Sequence, residues 1–113
     1  MEKKQFVLTL DLIPDPVLIA QYEAYHRSVW PEIEQSIRDA GITKLEIFRY
    51  ENRLCMFLET QSDFSWARKS EMDQANPWVQ RWEDLMWNYQ QALPTAAPGE
   101  KWMLMDKIYE LLA

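Results

Sequence analysis

The feature that most constrains the fold is a pair of alternating runs in the middle of the chain, Lys44–Tyr50 and Arg53–Thr60. Only Glu51 and Asn52 separate these runs. Alternation of apolar and polar residues is typical of a β-strand, because successive side chains point to opposite faces of a sheet. Two such runs joined by so short a connection predict an antiparallel hairpin, since parallel strands need a much longer crossover.

Strands and helices are also predicted on both sides of this hairpin. Helix starts are recognised by a capping side chain followed by proline, which suits the first helical turn. The further elements are a strand at 5–12, a helix starting at Asp15-Pro16, a short helix from a Ser62 cap to about Met72, a helix starting at Asn76-Pro77, a loop at Pro94–Gly99 and a strand at Trp102–Leu111.

The first helical region is predicted to be broken. Pro31 lies inside its apolar pattern, and the residue before a proline avoids the helical conformation, so the break is expected at Val29–Trp30. Gly41 is placed where glycine commonly ends a helix.

The resulting order, β-α-β-β-α-β, predicts an α+β, ferredoxin-like fold with a four-stranded antiparallel sheet and the helices on one face. One domain is expected over residues 1–113. The other face of such a sheet is normally polar. Here that face carries apolar side chains in either assignment of the two faces: Phe57 or Met56 from one strand, and Met105 or Leu104 from the last strand. A second copy of the chain is the simplest cover, which predicts a homodimer, and a partly enclosed ligand pocket is the other.

Charge and composition exclude several classes of function. The 113 residues carry 12 Lys and Arg against 18 Asp and Glu, and a net charge of −6 argues against nucleic-acid binding. No apolar stretch is long enough to cross a membrane, and one cysteine excludes a disulfide framework, so the expected location is the cytoplasm. Two glycines cannot build a phosphate-binding loop, and the acidic residues have no metal-ligand spacing; no cofactor and no metal are therefore expected.

His26 is the chain's one histidine and its candidate acid/base, because no other side chain has an ordinary pKa between pH 5 and 8. Tyr22 and Trp30 lie four residues to either side of it, which would line up a phenol, an imidazole and an indole. Aromatic rings of this kind suit the apolar faces of sugars, and Trp82 is a further candidate among 6 tryptophans. A surface histidine beside aromatic core residues is the alternative.

Three motifs together resemble the L-rhamnose mutarotase family: Tyr22-x-x-x-His26, Trp30-Pro31-Glu32 and Gln80-Arg81-Trp82. The resemblance extends from Phe6 to the last predicted strand. It implies a dimeric α+β fold of the α+β barrel type, no cofactor and a 6-deoxy-L-sugar as substrate. It further implies that His26 is the acid/base, and that Tyr22 and Trp82 contact the sugar.

Two positions depart from the L-rhamnose pattern. Leu45 stands where the family has a sugar-contacting tyrosine, and Glu83 stands where it has a second tryptophan. The stretch from Asn76 to Trp102 is similar to a branch of the family associated with L-fucose. Because a carboxylate accepts hydrogen bonds from sugar hydroxyls, Glu83 and, more weakly, Glu46 are candidate sugar contacts.

The sequence therefore predicts a cytoplasmic, homodimeric mutarotase that acts on a monosaccharide, L-fucose in preference to L-rhamnose, without nucleic-acid or membrane partners. One alternative is a monooxygenase on the same ferredoxin-like scaffold. The other is a sugar-binding module that does not catalyse anomer exchange.

Overall fold

The computed structural model describes residues 2–113. In chain order its elements are β1 (Lys4–Leu12), α1 (Pro16–His26), α2 (Pro31–Asp39), β2 (Ile42–Tyr50), β3 (Arg53–Thr60), α3 (Trp66–Ala75), α4 (Pro77–Trp87), β4 (Gln90–Gln91) and β5 (Met103–Leu104). No helix within this part of the chain is long and apolar enough to span a membrane.

The strands form an antiparallel sheet in which β2 pairs with β3 and β3 pairs with β1. The free edge of β1 carries both short strands, with β5 opposite Leu8 and Thr9 and β4 opposite Asp11 and Leu12. The predicted α+β, ferredoxin-like fold is confirmed, and the sheet of one chain is open.

Alternation along the central strands separates the two faces of the sheet. Leu54 and Leu58 of β3 are almost fully buried, and Leu10 and Leu12 of β1 are completely buried. Leu12, Leu54 and Leu58 belong to the two buried clusters that also contain side chains of the helices. Burial of each such side chain is worth about 1.5–3 kcal/mol, which fixes the register because a shift by one residue would expose the whole set.

The break in the first helical region is confirmed. The side chain of Asp15 accepts hydrogen bonds from the backbone N–H groups of Val17 and Leu18, at 2.9 and 3.2 Å, and so caps α1. The helix ends at His26, and α2 begins at Pro31 after a non-helical Trp30. The break turns what sequence spacing suggested as one ridge into two separate helices.

The predicted start of the short helix at Ser62 is wrong. Helix α3 starts at Trp66, and the side chain of Ser65 caps it by accepting from the N–H of Arg68 at 3.3 Å. Phe64 is buried, in ring contact with Phe6 and Trp66. Packing of this aromatic group holds residues 61–64 in a turn and delays the helix.

The predicted last strand, Trp102–Leu111, is also wrong in its length. Only Met103 and Leu104 form a strand, with one further hydrogen bond from the N–H of Met105 to the carbonyl of Val7 at 2.8 Å. Residues 105–113 then leave the sheet, and Ile108 is 94% exposed. Continued pairing would have run along Phe6, Gln5 and Lys4 of β1. The short strand β4, which the sequence did not predict, pairs with Asp11 and Leu12 at the other end of that edge.

The face of the sheet away from the helices carries apolar side chains, as predicted. Val7 lies opposite Phe57, and Cys55 lies opposite both Thr9 and Phe48. Phe48 is 57% exposed. We call this set, Val7, Phe48, Cys55 and Phe57, the outer apolar face.

Candidate functional site

A cavity of about 650 Å³ lies between the helices and the sheet. Its volume falls within the ~300–1,000 Å³ that is typical of small-molecule sites. The residues that matter for its chemistry are Tyr22, His26, Leu45, Trp66, Trp82, Glu83, Gln90 and Lys101. A more open second cavity lies near the β2–β3 turn, beside Arg49 and Asn52, and its lining includes neither a histidine nor an aromatic ring.

Helix α1 brings Tyr22 and His26 to the cavity together. They are one turn apart on the same face of the helix, and their ring centroids are 4.3 Å apart at 32°. Tyr22 is buried, whereas His26 is half-buried. His26 is the last residue of α1, and its side chain lines the cavity.

The backbone fixes the tautomer of His26. Its Nδ1 lies 2.8 Å from the carbonyl oxygen of Tyr22. A carbonyl oxygen only accepts, so Nδ1 carries the proton and donates it, which leaves Nε2 with a free lone pair. Burial lowers the pKa of His26 below its ordinary value of 6.5, and the hydrogen bond to the Tyr22 carbonyl offsets part of that effect. The imidazole is therefore neutral at pH 7 and equipped to accept a proton.

Tyr22 is held in its neutral form. Burial is the main cause that raises the pKa of its phenol to about 12, with the negative charge of Glu83 adding to it. A hydrogen bond from the side chain of Gln90 acts in the opposite direction. At neutral pH the phenol is therefore a hydrogen-bond donor and acceptor, not a phenolate.

Trp82 forms the adjoining wall of the cavity, and Trp30 supports it from behind. The Trp82 ring meets His26 at 5.6 Å and 67°, an edge-to-face contact. Trp30 contacts Trp82 at 5.1 Å and 73°, and it is not among the residues that line the cavity. The structure thus brings Tyr22, His26 and Trp82 together, and places Trp30 behind them.

Glu83 lies at the cavity with its carboxylate held by a lysine. Nζ of Lys101 is 2.6 Å from Oε2 of Glu83 and 2.9 Å from its backbone carbonyl oxygen. The same ammonium lies 4.6 Å from the centre of the Trp87 ring. The Lys101 side chain is only 10% exposed, so this ion pair is shielded on one side and fixes the carboxylate in place.

Leu45 and Glu46 are separated by the alternation of β2. Leu45 points toward the helices and lines the cavity. Glu46 lies opposite Phe57 on the outer apolar face and pairs with Lys44 at 3.6 Å. The structure therefore places Glu46 away from the other predicted sugar contacts.

Sequence reasoning missed Gln90 and Lys101. Within residues 2–113, two buried side-chain polar atoms lack a hydrogen-bond partner, Oε1 of Gln90 and Nε1 of Trp66, and both residues line the cavity. No local pattern marks Gln90, because its position depends on a strand of two residues. The proximity of Lys101 to Glu83 likewise arises only when the 92–102 loop folds back on α4. In the same part of the chain, no three His, Cys, Asp or Glu are grouped so as to hold a metal ion.

Fold and site together define an α+β protein with a small-molecule cavity and a neutral histidine at its wall. Residues 5–111 match the family described as L-rhamnose mutarotase. The chain is 46% identical to an L-fucose mutarotase of Xanthomonas campestris pv. campestris over 113 residues, which cover 98% of this chain and 90% of that protein. It therefore belongs to the L-rhamnose mutarotase family, as its motifs predicted.

A further relative supports this assignment, and two solved structures share the fold. An L-rhamnose mutarotase of Acidiphilium cryptum is 31% identical over 100 residues, 87% of this chain and 92% of that protein. The crystal structure of an L-rhamnose mutarotase from Formosa agariphila has a TM-score of 0.71 at 21% identity, covering 96% of this chain and 99% of that one. Tetracenomycin F2 cyclase from Streptomyces glaucescens shares the fold at a TM-score of 0.61 and 18% identity, covering 97% and 98%.

Proposed function

We propose that this protein is a cofactor-free mutarotase that interconverts the α and β anomers of a 6-deoxy-L-hexose, L-fucose in preference to L-rhamnose, in the cytoplasm. The observation that carries the proposal is the neutral, backbone-held imidazole of His26 in the wall of a small-molecule cavity. Membership in the family supports a mutarotase over the monooxygenase alternative. The identity with an L-fucose mutarotase supports the choice of sugar.

His26 supplies the general base. Its Nε2 takes the proton from the anomeric hydroxyl as the bond between C1 and the ring oxygen breaks, and the Tyr22 phenol gives a proton to the ring oxygen. The open aldehyde rotates about its C1–C2 bond, and the C5 hydroxyl attacks the other face of C1. That hydroxyl returns its proton to Tyr22, while His26 returns a proton to the new anomeric oxygen. Water alone performs this exchange slowly, so the ~10²–10⁴-fold typical of a positioned acid/base is sufficient.

Tyr22 complements His26 as a donor. Its phenol remains protonated, since its pKa is about 12. It is therefore suited to hydrogen-bond the ring oxygen, the atom that must gain a proton during opening. Trp82 offers a flat apolar surface beside both groups, on which a sugar ring can lie.

Saturation-transfer NMR between the α- and β-anomer signals tests the function directly. L-fucose and L-rhamnose are measured side by side, each against its rate without protein. We expect faster exchange of both sugars, and a larger gain for L-fucose. Binding of a sugar without faster exchange would instead establish the non-catalytic binding module.

The pH dependence of this exchange follows from the lowered pKa of His26. A base whose pKa lies below 6.5 is mainly deprotonated at pH 6.5, so the midpoint of the fall in the catalysed rate should lie below pH 6.5. Exchange rates from pH 4.5 to 8, corrected for the uncatalysed reaction, measure this pH dependence, and a midpoint above pH 6.5 would contradict the prediction.

The lowered pKa of His26 also affects stability. The free energy of unfolding should decrease as the pH falls below about 6.5, because the unfolded chain takes up this proton first.

We propose further that the protein is a homodimer. Two apolar surfaces of one chain support this: the outer apolar face, and the segment 105–113, in which Tyr109, Leu111 and Leu112 are each at least 75% exposed. Exposed apolar area of this extent is typical of an interface. In a symmetric dimer, the segment 105–113 of each copy can cover the outer apolar face of the other copy.

Light scattering at micromolar concentration tests whether the protein is a dimer and whether the segment 105–113 contributes to the interface. We expect twice the mass of the 113-residue chain for the full protein. A chain ending at Asp106, which lacks the exposed apolar residues from Ile108 onward, should be monomeric. A monomeric full-length protein would rule out the dimer, and a dimeric shortened chain would remove the tail from the interface.

A further inference from the structure

We propose that Gln90 is a specificity-determining residue whose side-chain oxygen accepts a hydrogen bond from a hydroxyl of the bound sugar. This inference rests on the proposed function, because it places a monosaccharide in the cavity. It adds a residue that neither the sequence motifs nor the family resemblance had indicated.

The position of Gln90 follows from the register of β4. Gln90 lies opposite Leu12, and Leu12 is completely buried on the helix side of the sheet. Residues opposite each other in an antiparallel pair project to the same face. Gln90 therefore points into the space between sheet and helices, where it lines the cavity and is only 6% exposed. Its neighbour Gln91, opposite Asp11, is exposed.

The two ends of the Gln90 amide differ in their surroundings. The NH₂ group lies on the side of Tyr22, since the Gln90 side chain lowers the pKa of that phenol. The oxygen is buried and has no hydrogen-bond partner. Burial of an unpaired acceptor is costly, so such an atom in a cavity calls for a donor from a ligand. A sugar hydroxyl is a donor of the right chemistry.

Gln90 adjoins Tyr22 in the cavity, so a sugar ring that Tyr22 contacts lies within reach of the Gln90 oxygen. Tyr22, His26 and Gln90 would then hold neighbouring parts of one ring. Discrimination by such a site is strong, because a sugar that lacks the donor leaves the oxygen unpaired again.

The experiment compares Gln90→Met with the wild type on L-fucose and its 2-, 3- and 4-deoxy analogues, each rate being divided by the uncatalysed rate. Methionine retains the unbranched shape and removes the amide. We expect the wild type to exchange one analogue roughly tenfold more slowly than L-fucose, and Gln90→Met to treat those two sugars alike. The same change at the exposed neighbour, Gln91→Met, should leave the pattern of the wild type intact.

Several outcomes would overturn the inference. Equal loss on all four sugars would give Gln90 a purely structural role, and unchanged rates would remove it from the site. If Gln90→Met does not fold, Gln90→Asn makes the same comparison with an amide one methylene shorter. If the wild type exchanges no anomers, the proposed function fails, and calorimetric binding of the same sugars decides the inference separately. Failure of the wild type to bind L-fucose would reject both.

Discussion

His26→Asn is expected to lower the catalysed rate of anomer exchange by about 10²–10⁴-fold while the protein stays folded. The asparagine amide can take over the hydrogen bond that Nδ1 donates to the Tyr22 carbonyl. It has no counterpart of Nε2 that can accept and return a proton. The substitution therefore removes the base and leaves its anchoring contact in place. Saturation-transfer NMR gives the rate, and circular dichroism with a thermal melt checks the fold.

A second substitution separates chemistry from packing at this position. His26→Phe fills the space of the ring and retains its contacts with Tyr22 and Trp82, but it loses both nitrogens. Catalysis should be lost as severely as in His26→Asn, and sugar binding should survive in at least one of the two variants. Exchange at the wild-type rate in either folded variant would make His26 structural, and the proposed mechanism would be wrong.

Glu83→Gln is expected to slow exchange of L-fucose by roughly tenfold or more and to narrow its advantage over L-rhamnose. The two sugars differ in configuration at C2 and C4. A carboxylate positioned by Lys101 can accept a hydrogen bond from a hydroxyl in one configuration, and the other configuration does not supply that hydrogen bond. The variants Glu83→Trp and Leu45→Tyr, singly and combined, move both positions toward the L-rhamnose pattern. The ratio of the two exchange rates should fall with each.

Two comparisons make this test specific. Lys101→Met leaves Glu83 in place without its ion-pair partner. It should therefore reduce the preference for L-fucose over L-rhamnose and leave the pH dependence of the catalysed rate, which His26 sets, unchanged. Glu46→Gln makes the same chemical change on the outer face, where Glu46 meets Lys44, and should leave both rates as they are. An unchanged ratio in all Glu83 and Leu45 variants would show that these positions do not read the sugar.

Local signals predicted most of the fold. Asp15 and Asn76 do cap α1 and α4, and the break before Pro31 and the hairpin at Glu51 and Asn52 fall where proline and alternation placed them. The errors lie where distant contacts outweigh a local pattern. Phe64 delays the start of α3, and the tail after Met105 leaves the edge of β1 although its alternation would suit a strand.

Some residues of the candidate site were likewise predictable from local spacing, and others were not. Tyr22 and His26 were predictable as neighbours, because helical spacing alone brings them to one face. Trp30 could not be placed, since its position depends on the turn between α1 and α2. Glu46 differs from Leu45 by one step of the strand, and only the observed register shows which of the two points inward. Gln90 and Lys101 depend on chain segments that meet only after folding.

The hydrogen bond from His26 Nδ1 to the backbone carbonyl of Tyr22 has a consequence for the evolution of this protein. In many enzymes a carboxylate orients the histidine, and a single codon change at that carboxylate abolishes the chemistry. Here the acceptor is a peptide carbonyl within α1, which every amino acid supplies, and only a residue that breaks the helix, such as proline, would displace it. Substitutions at the proposed sugar contacts Leu45, Glu83 and Gln90 would therefore leave this anchor of His26 in place. Under the proposed function, the preferred sugar could change during evolution while the acid/base was kept.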